Sequence, residues 1–144
     1  MSRIDDFIAT IHPYDSLPQD ERARVARSFG RRHWPAGSVI YRQGEALPGI
    51  YLIESGAVRI LDASGDCVSE LGPRNSFGER GLLRDGLAVT TAAVTTDATV
   101  LMLPRDELMR LIDSQPAVAR FFDRGGARPS DLAVLKVGDL IGAK

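Results

Sequence analysis

The chain has 144 residues, enough for one domain with a core of its own. Its 44% hydrophobic and 26% charged residues are those of an ordinary globular protein, and its net charge of −1 gives no bulk electrostatic pull toward nucleic acid or anionic membrane. A single cysteine, Cys67, excludes an intrachain disulfide, and no apolar run reaches the length of a membrane-spanning helix.

The N-terminal region reads as helical. "RIDDFIATI" places Ile4, Phe7, Ile8 and Ile11 on one stripe, with acids where a signal peptide needs an apolar run. With no leader, no spanning segment and one cysteine, the cytoplasm is the expected compartment. "PYDSLPQDERARVARSF" then gives a turn at Pro13 and a second helix. Ser16 is a candidate cap, Pro18 suits the first turn, and Val25, Ala26 and Phe29 face inward.

Residues 30–104 change texture. The segments "SVIYRQ", "GIYLIES", "GAVRILD", "CVSELG", "AVTTAAVT" and "ATVLMLP" are short, apolar and punctuated by glycine. Turn signals recur roughly every ten residues, a pattern of short antiparallel strands. "DASGD" at 62–66 reads as a hairpin connection. "ERGLLR" is the one short helix expected inside this region. From Arg105 the pattern turns helical again, with Leu108, Leu111, Ile112, Val118, Phe121 and Phe122 apolar and Pro116 dividing the segment in two. "GGARPS" at 125–130 is a linker by composition.

Three candidate chemistries have weak support. His12, His33 and Cys67 lack metal-ligand spacing. "GERGLLRDG" has no Walker lysine, and no nucleophile elbow occurs. The arginines at 22, 24, 27, 31 and 32 read as a solvated face, with no nucleic-acid role, and Trp34 as core or hinge packing.

The order of helix, glycine-punctuated β-roll and hinge helices resembles the cyclic nucleotide-binding domain family over about residues 5–124. Within "PAGSVIYRQGEALPGIYLIESGAVRIL", Gly37, Gln43, Gly44, Glu45, Tyr51, Ile53, Gly56 and Val58 fall on pattern positions. "LGPRNSFGERGLL" resembles the lead into the family's phosphate cassette, and "TDATVLMLPRDELMRLI" its last strand and hinge helix. The resemblance implies a mainly β double-stranded β-helix, or jelly-roll-like β-roll, of eight antiparallel strands. N-terminal helices, a short cassette helix and C-terminal hinge helices flank it.

The resemblance also implies a ligand site at Phe77, Gly78, Glu79, Arg80, Gly81, Leu82, Leu83, Ala88, Val89 and Thr90. Glu79 corresponds to the glutamate that takes a ribose hydroxyl, or else it caps or pairs within the fold. The amides of Gly81, Leu82 and Leu83 correspond to those that hold the cyclic phosphate. Counting forward from Phe77 and back from "TDATVLMLPRDEL" both place the phosphate-binding arginine at Ala88. A charge-assisted contact to phosphate contributes about 1.5–3 kcal/mol, so its loss weakens binding roughly ten- to a hundredfold or more. Thr90 or Thr91 offers only an uncharged hydroxyl. Arg80 and Arg84 are either solvated or substitutes for the missing cation.

The reading is thus a non-catalytic sensing module, residues 1–124, with weak or altered nucleotide binding and no cofactor. A docking or oligomerisation domain that kept the fold and lost the ligand is one alternative. The sensor half of a transcription regulator, or a pocket retuned to another nucleotide or anion, are others. Residues 125–144 form a linker and a segment, "VLKVGDLI", similar to the opening of a CBS domain; the implied partners are downstream modules of that kind or a nucleotidyltransferase-like one. The apolar face of residues 105–124, or the tail at 131–141, is expected to pair with a second copy as a homodimer.

Overall fold

The computed structural model describes residues 3–123. Arg124, the linker, the CBS-like segment and the 131–141 pairing face lie outside the described residues.

Helix α1 (Arg3–Ile8) buries Ile8, and after a 3-10 turn at Tyr14–Ser16 helix α2 (Gln19–Ser28) buries Val25 and Ala26. Ser16 does not cap α2; its hydroxyl donates to the carbonyl of Pro13 at 2.6 Å, and Pro18 holds the cap position. Proline pre-sets the backbone there without needing a donor.

Six strands form one antiparallel sheet: β1 (Gly30–Trp34), β2 (Val39–Tyr41), β3 (Gly49–Leu61), β4 (Cys67–Leu71), β5 (Ser76–Phe77) and β6 (Thr91–Pro104). The order is β1-β6-β3-β4, with β2 added to β6 and β5 to β3. The mainly β roll with flanking helices is as expected, but the strand count is six among the described residues rather than eight. "GIYLIES" and "GAVRILD" join into β3, and "AVTTAAVT" and "ATVLMLP" join into β6, because both strands run on through bulges. Gly56 permits this. Its φ is +89°, and a Cβ there would stand 2.3 Å from the carbonyl oxygen of Asp97. Strand β1 was not anticipated either. "GRRHW" is exposed at four of its five positions where it pairs along β6, so no apolar alternation marks it.

Asp62 closes the β3–β4 hairpin by accepting the amides of Ser64 and Asp66. Helix α3 (Glu79–Arg84) follows β5, and α4 (Arg105–Ser114) and α5 (Pro116–Asp123) follow β6, divided at Pro116 as expected. Helices α1 and α2 pack together, and α4 packs on β3 and β6.

The apolar face of α4 and α5 is covered within the chain. Leu108, Leu111 and Val118 are fully buried and Phe122 is 9% exposed. Phe121 meets His12 edge-on at 5.3 Å. Much of the apolar face expected to pair with a second copy is thus covered within the chain, while Ile112 and Phe121 stay half-buried.

Candidate functional site

Strand β5 ends at Phe77, and Gly78 turns the chain with φ +92° into α3. Helix α3 lies close to the following loop: a Cβ at Gly81 would stand 2.1 Å from the carbonyl oxygen of Leu87. That loop is fixed on its other side by residues 44–47. The amide of Gly44 donates to Ala88 O and the amide of Ala88 to Glu45 O, both at 2.8 Å, and the amide of Leu47 donates to Gly86 O. "QGE" and the Ala88 segment are therefore tied backbone to backbone.

Between α3, this loop and the roll lies a cavity of about 420 Å³, including its open mouth. Its apolar wall is Tyr41, Leu47, Ile60, Leu71 and Phe77; Ser69, Glu79, Arg80 and Thr90 supply the polar groups. Phe77 stacks on Tyr51 at 5.2 Å, and Tyr41 tilts against both. Burial holds the Tyr51 hydroxyl above its ordinary pKa.

Eight of the ten residues expected at the site line this cavity: Phe77, Gly78, Glu79, Arg80, Gly81, Ala88, Val89 and Thr90. Leu82 and Leu83 do not. Leu82 is fully buried in the core, and Leu83 packs against it half-buried. The amide of Leu82 is also spent, donating to Gly78 O at 3.1 Å. A helix leaves only the amides of its first turn outside its own bonding, here those of residues 79–81.

Glu79 is 2% exposed, and its Oε1 is shielded from solvent. Ala88 is 4% exposed, so its methyl stands in the wall where a longer side chain would reach into the cavity. The two candidate cations separate. Arg80 lines the cavity, half-buried and already engaged within the protein, whereas Arg84 is exposed and outside the lining. The two threonines separate as well: Thr91 Oγ1 accepts the amide of Gln43 at 3.0 Å, and Thr90 faces the cavity. Sequence reasoning missed Tyr41, Leu47, Ile60, Ser69 and Leu71. They arrive from other strands, and only the register of the sheet brings them to the cassette.

A β-roll with a short helix after Phe-Gly-Glu, closing on a cavity beside hinge helices, defines a ligand-binding regulatory fold. A family model for the cyclic nucleotide-binding domain matches residues 31–115, more than half of the chain, and the chain belongs to that family. The cyclic AMP receptor protein of Thermus thermophilus is 36% identical over 110 residues, covering 74% of this chain and 51% of that protein. Among solved structures, the regulatory domain of Toxoplasma gondii protein kinase A with cAMP superposes with a TM-score of 0.76 at 24% identity, over 85% of this chain and 48% of that one. The regulatory subunit of a cAMP-independent protein kinase A from Trypanosoma brucei superposes at 0.74 and 23%, over 87% and 45%. The chain thus spans about half the length of each. Among the described residues no helix is long and apolar enough to cross a membrane.

Proposed function

We propose that this cyclic nucleotide-binding domain is a non-catalytic regulatory module whose cavity takes a nucleotide-like ligand by its ribose at Glu79 and holds a phosphate only weakly. The observation that carries the reading is a buried carboxylate in an open cavity whose wall has a methyl, Ala88, at the position of the expected cation. The amides of the first turn of α3 still favour an anion, so phosphate binding is reduced rather than abolished. Arg80 lines the cavity but is already engaged within the protein, which makes it a poor substitute for the missing arginine. The Thermus relative is a cyclic AMP receptor protein by name and the Trypanosoma neighbour the regulatory subunit of a cAMP-independent protein kinase A, so the fold occurs in both settings. Ligand acts by favouring one arrangement of α4 and α5 over another. The residues beyond Asp123 carry the change to further modules, of the CBS-pair and nucleotidyltransferase-like kind that the tail resembles. Calorimetric titration tests the reading: cAMP and cGMP bind weakly or not at all at micromolar concentrations. Submicromolar affinity for either overturns it.

A further inference from the structure

We infer that Arg74 is a strap that couples the turn before the cassette to helix α5, by way of Thr10 and His12 in the N-terminal segment. This deepens the regulation proposed above and rests on its premise that α5 responds to the ligand. It names one route between cavity and helix.

The backbone at Arg74 is strained. Its φ is +78°, and it is the one non-glycine residue at positive φ among the described residues. A side chain is disfavoured in that region, where glycine sits without penalty. Such a residue persists where its surroundings hold it. Here the guanidinium does the holding. Nη1 donates to Thr10 Oγ1 at 2.7 Å and Nη2 to the Thr10 carbonyl at 2.6 Å. The two residues are 64 positions apart in the chain.

Both ends of the strap are anchored. On the cassette side, the amide of Arg74 donates to Ile53 O at 2.8 Å, and the amide of Ile53 donates to Asn75 O at 2.9 Å. The turn is thus pinned to β3 directly before Ser76 and Phe77, which pair with β3 and lead into α3. On the far side, Thr10 Oγ1 donates to Phe7 O at 2.8 Å, just where α1 ends. A cation is favoured there, beside the carbonyl end of a helix. Ile11 is buried in the core, and His12 meets Phe121 of α5 edge-on at 5.3 Å. Phe121 in turn meets Phe122 at 5.1 Å.

Three contacts therefore run in series, from the turn at Arg74 to Thr10, along the chain to His12, and from His12 to Phe121. A shift of β5 and α3 around an occupied cavity draws on Thr10 and displaces the ring against which Phe121 rests. Helix α4 has a separate hold, its packing on β3 and β6.

The test is hydrogen exchange on the ligand-free full chain, so that its failure is distinct from failure of the nucleotide titration above. Glycine suits the backbone at this turn, and Arg74→Gly removes the strap without forcing the fold. Amides at residues 10–12 and 117–122 then exchange about three- to tenfold faster, the range of one lost hydrogen bond, while those of α4 stay as in the parent. Thr10→Val, which removes one acceptor, acts in the same direction and adds nothing further in the Arg74→Gly background. Coupling is reciprocal, so Phe121→Leu speeds exchange at residues 75–83 in the parent and leaves them unchanged once Arg74 is glycine. Faster exchange at residues 10–12 alone makes the strap a local tie and overturns the inference. So does an equal rise throughout the chain, or a Phe121→Leu effect on residues 75–83 that survives in Arg74→Gly.

Discussion

At position 88 the difference between a methyl and a guanidinium is isolated from the rest of the site. The backbone of Ala88 is held at both its amide and its carbonyl, so a longer side chain changes what fills the cavity without moving the loop. Ala88→Arg is therefore expected to tighten cAMP binding roughly ten- to a hundredfold, the increment of one charge-assisted contact. Titration of variant and parent side by side measures it; no gain means that another group blocks the phosphate position. That Glu79 and Ala88 line one cavity was legible in the sequence because they sit at fixed counts from Phe77 within one continuous stretch. Ser69 was not, because it reaches the cavity only when β4 pairs with β3. Leu82 was misplaced for a third reason. A resemblance transfers a motif in whole residues, whereas helix geometry decides which amide is already spent.

Among elements, α2 and α4 are joined by charged side chains. Arg110 on α4 donates to Glu107 on the same helix and to Glu21 on α2, and Arg24 on α2 reaches Glu107 at 3.6 Å. The hydrogen bond from Arg110 holds the Glu107 carboxyl below its ordinary value of 4.5. A carboxylate whose pKa is lowered by folding stabilises the fold above its unfolded pKa, and that contribution is lost as pH falls through the folded value. Acid titration should therefore loosen α4 from α2 below pH 4.5, while Glu107→Gln shows a flatter dependence across the same window. Hydrogen exchange at residues 105–114 reads the difference. These groups are partly exposed, so the effect is modest, about 1 kcal/mol or less. The helices were legible from apolar spacing and from Pro116. The strands were legible as β but not as separate units, since a bulge and a turn leave the same glycine signal.

For the whole molecule, burial sets the expectation for the assembly state. Leu87, 43% exposed, is the one large hydrophobic residue left open among the described residues. A patch of that kind is too small to drive association. A chain ending after Asp123 is expected to be monomeric, with a scattering mass that does not rise with concentration. A dimer of that truncated chain would show that α4 and α5 exchange their cover for a partner. The sequence displayed Phe121 and Phe122 without the His12 segment that meets Phe121.

The aromatic residues divide the molecule into two optical regions. Tyr41 and Phe77 form part of the cavity wall, and Tyr51 stacks directly behind Phe77. The single tryptophan, Trp34, lies at the end of β1 under the guanidinium of Arg32, 3.9 Å from its ring, and lines no part of the cavity. Occupancy should thus appear in the near-ultraviolet tyrosine bands while the tryptophan emission stays constant. A change confined to tryptophan would place the bound molecule at the β1 edge instead. The protein carries a reporter and an internal reference, so its empty and filled states can be told apart without a label.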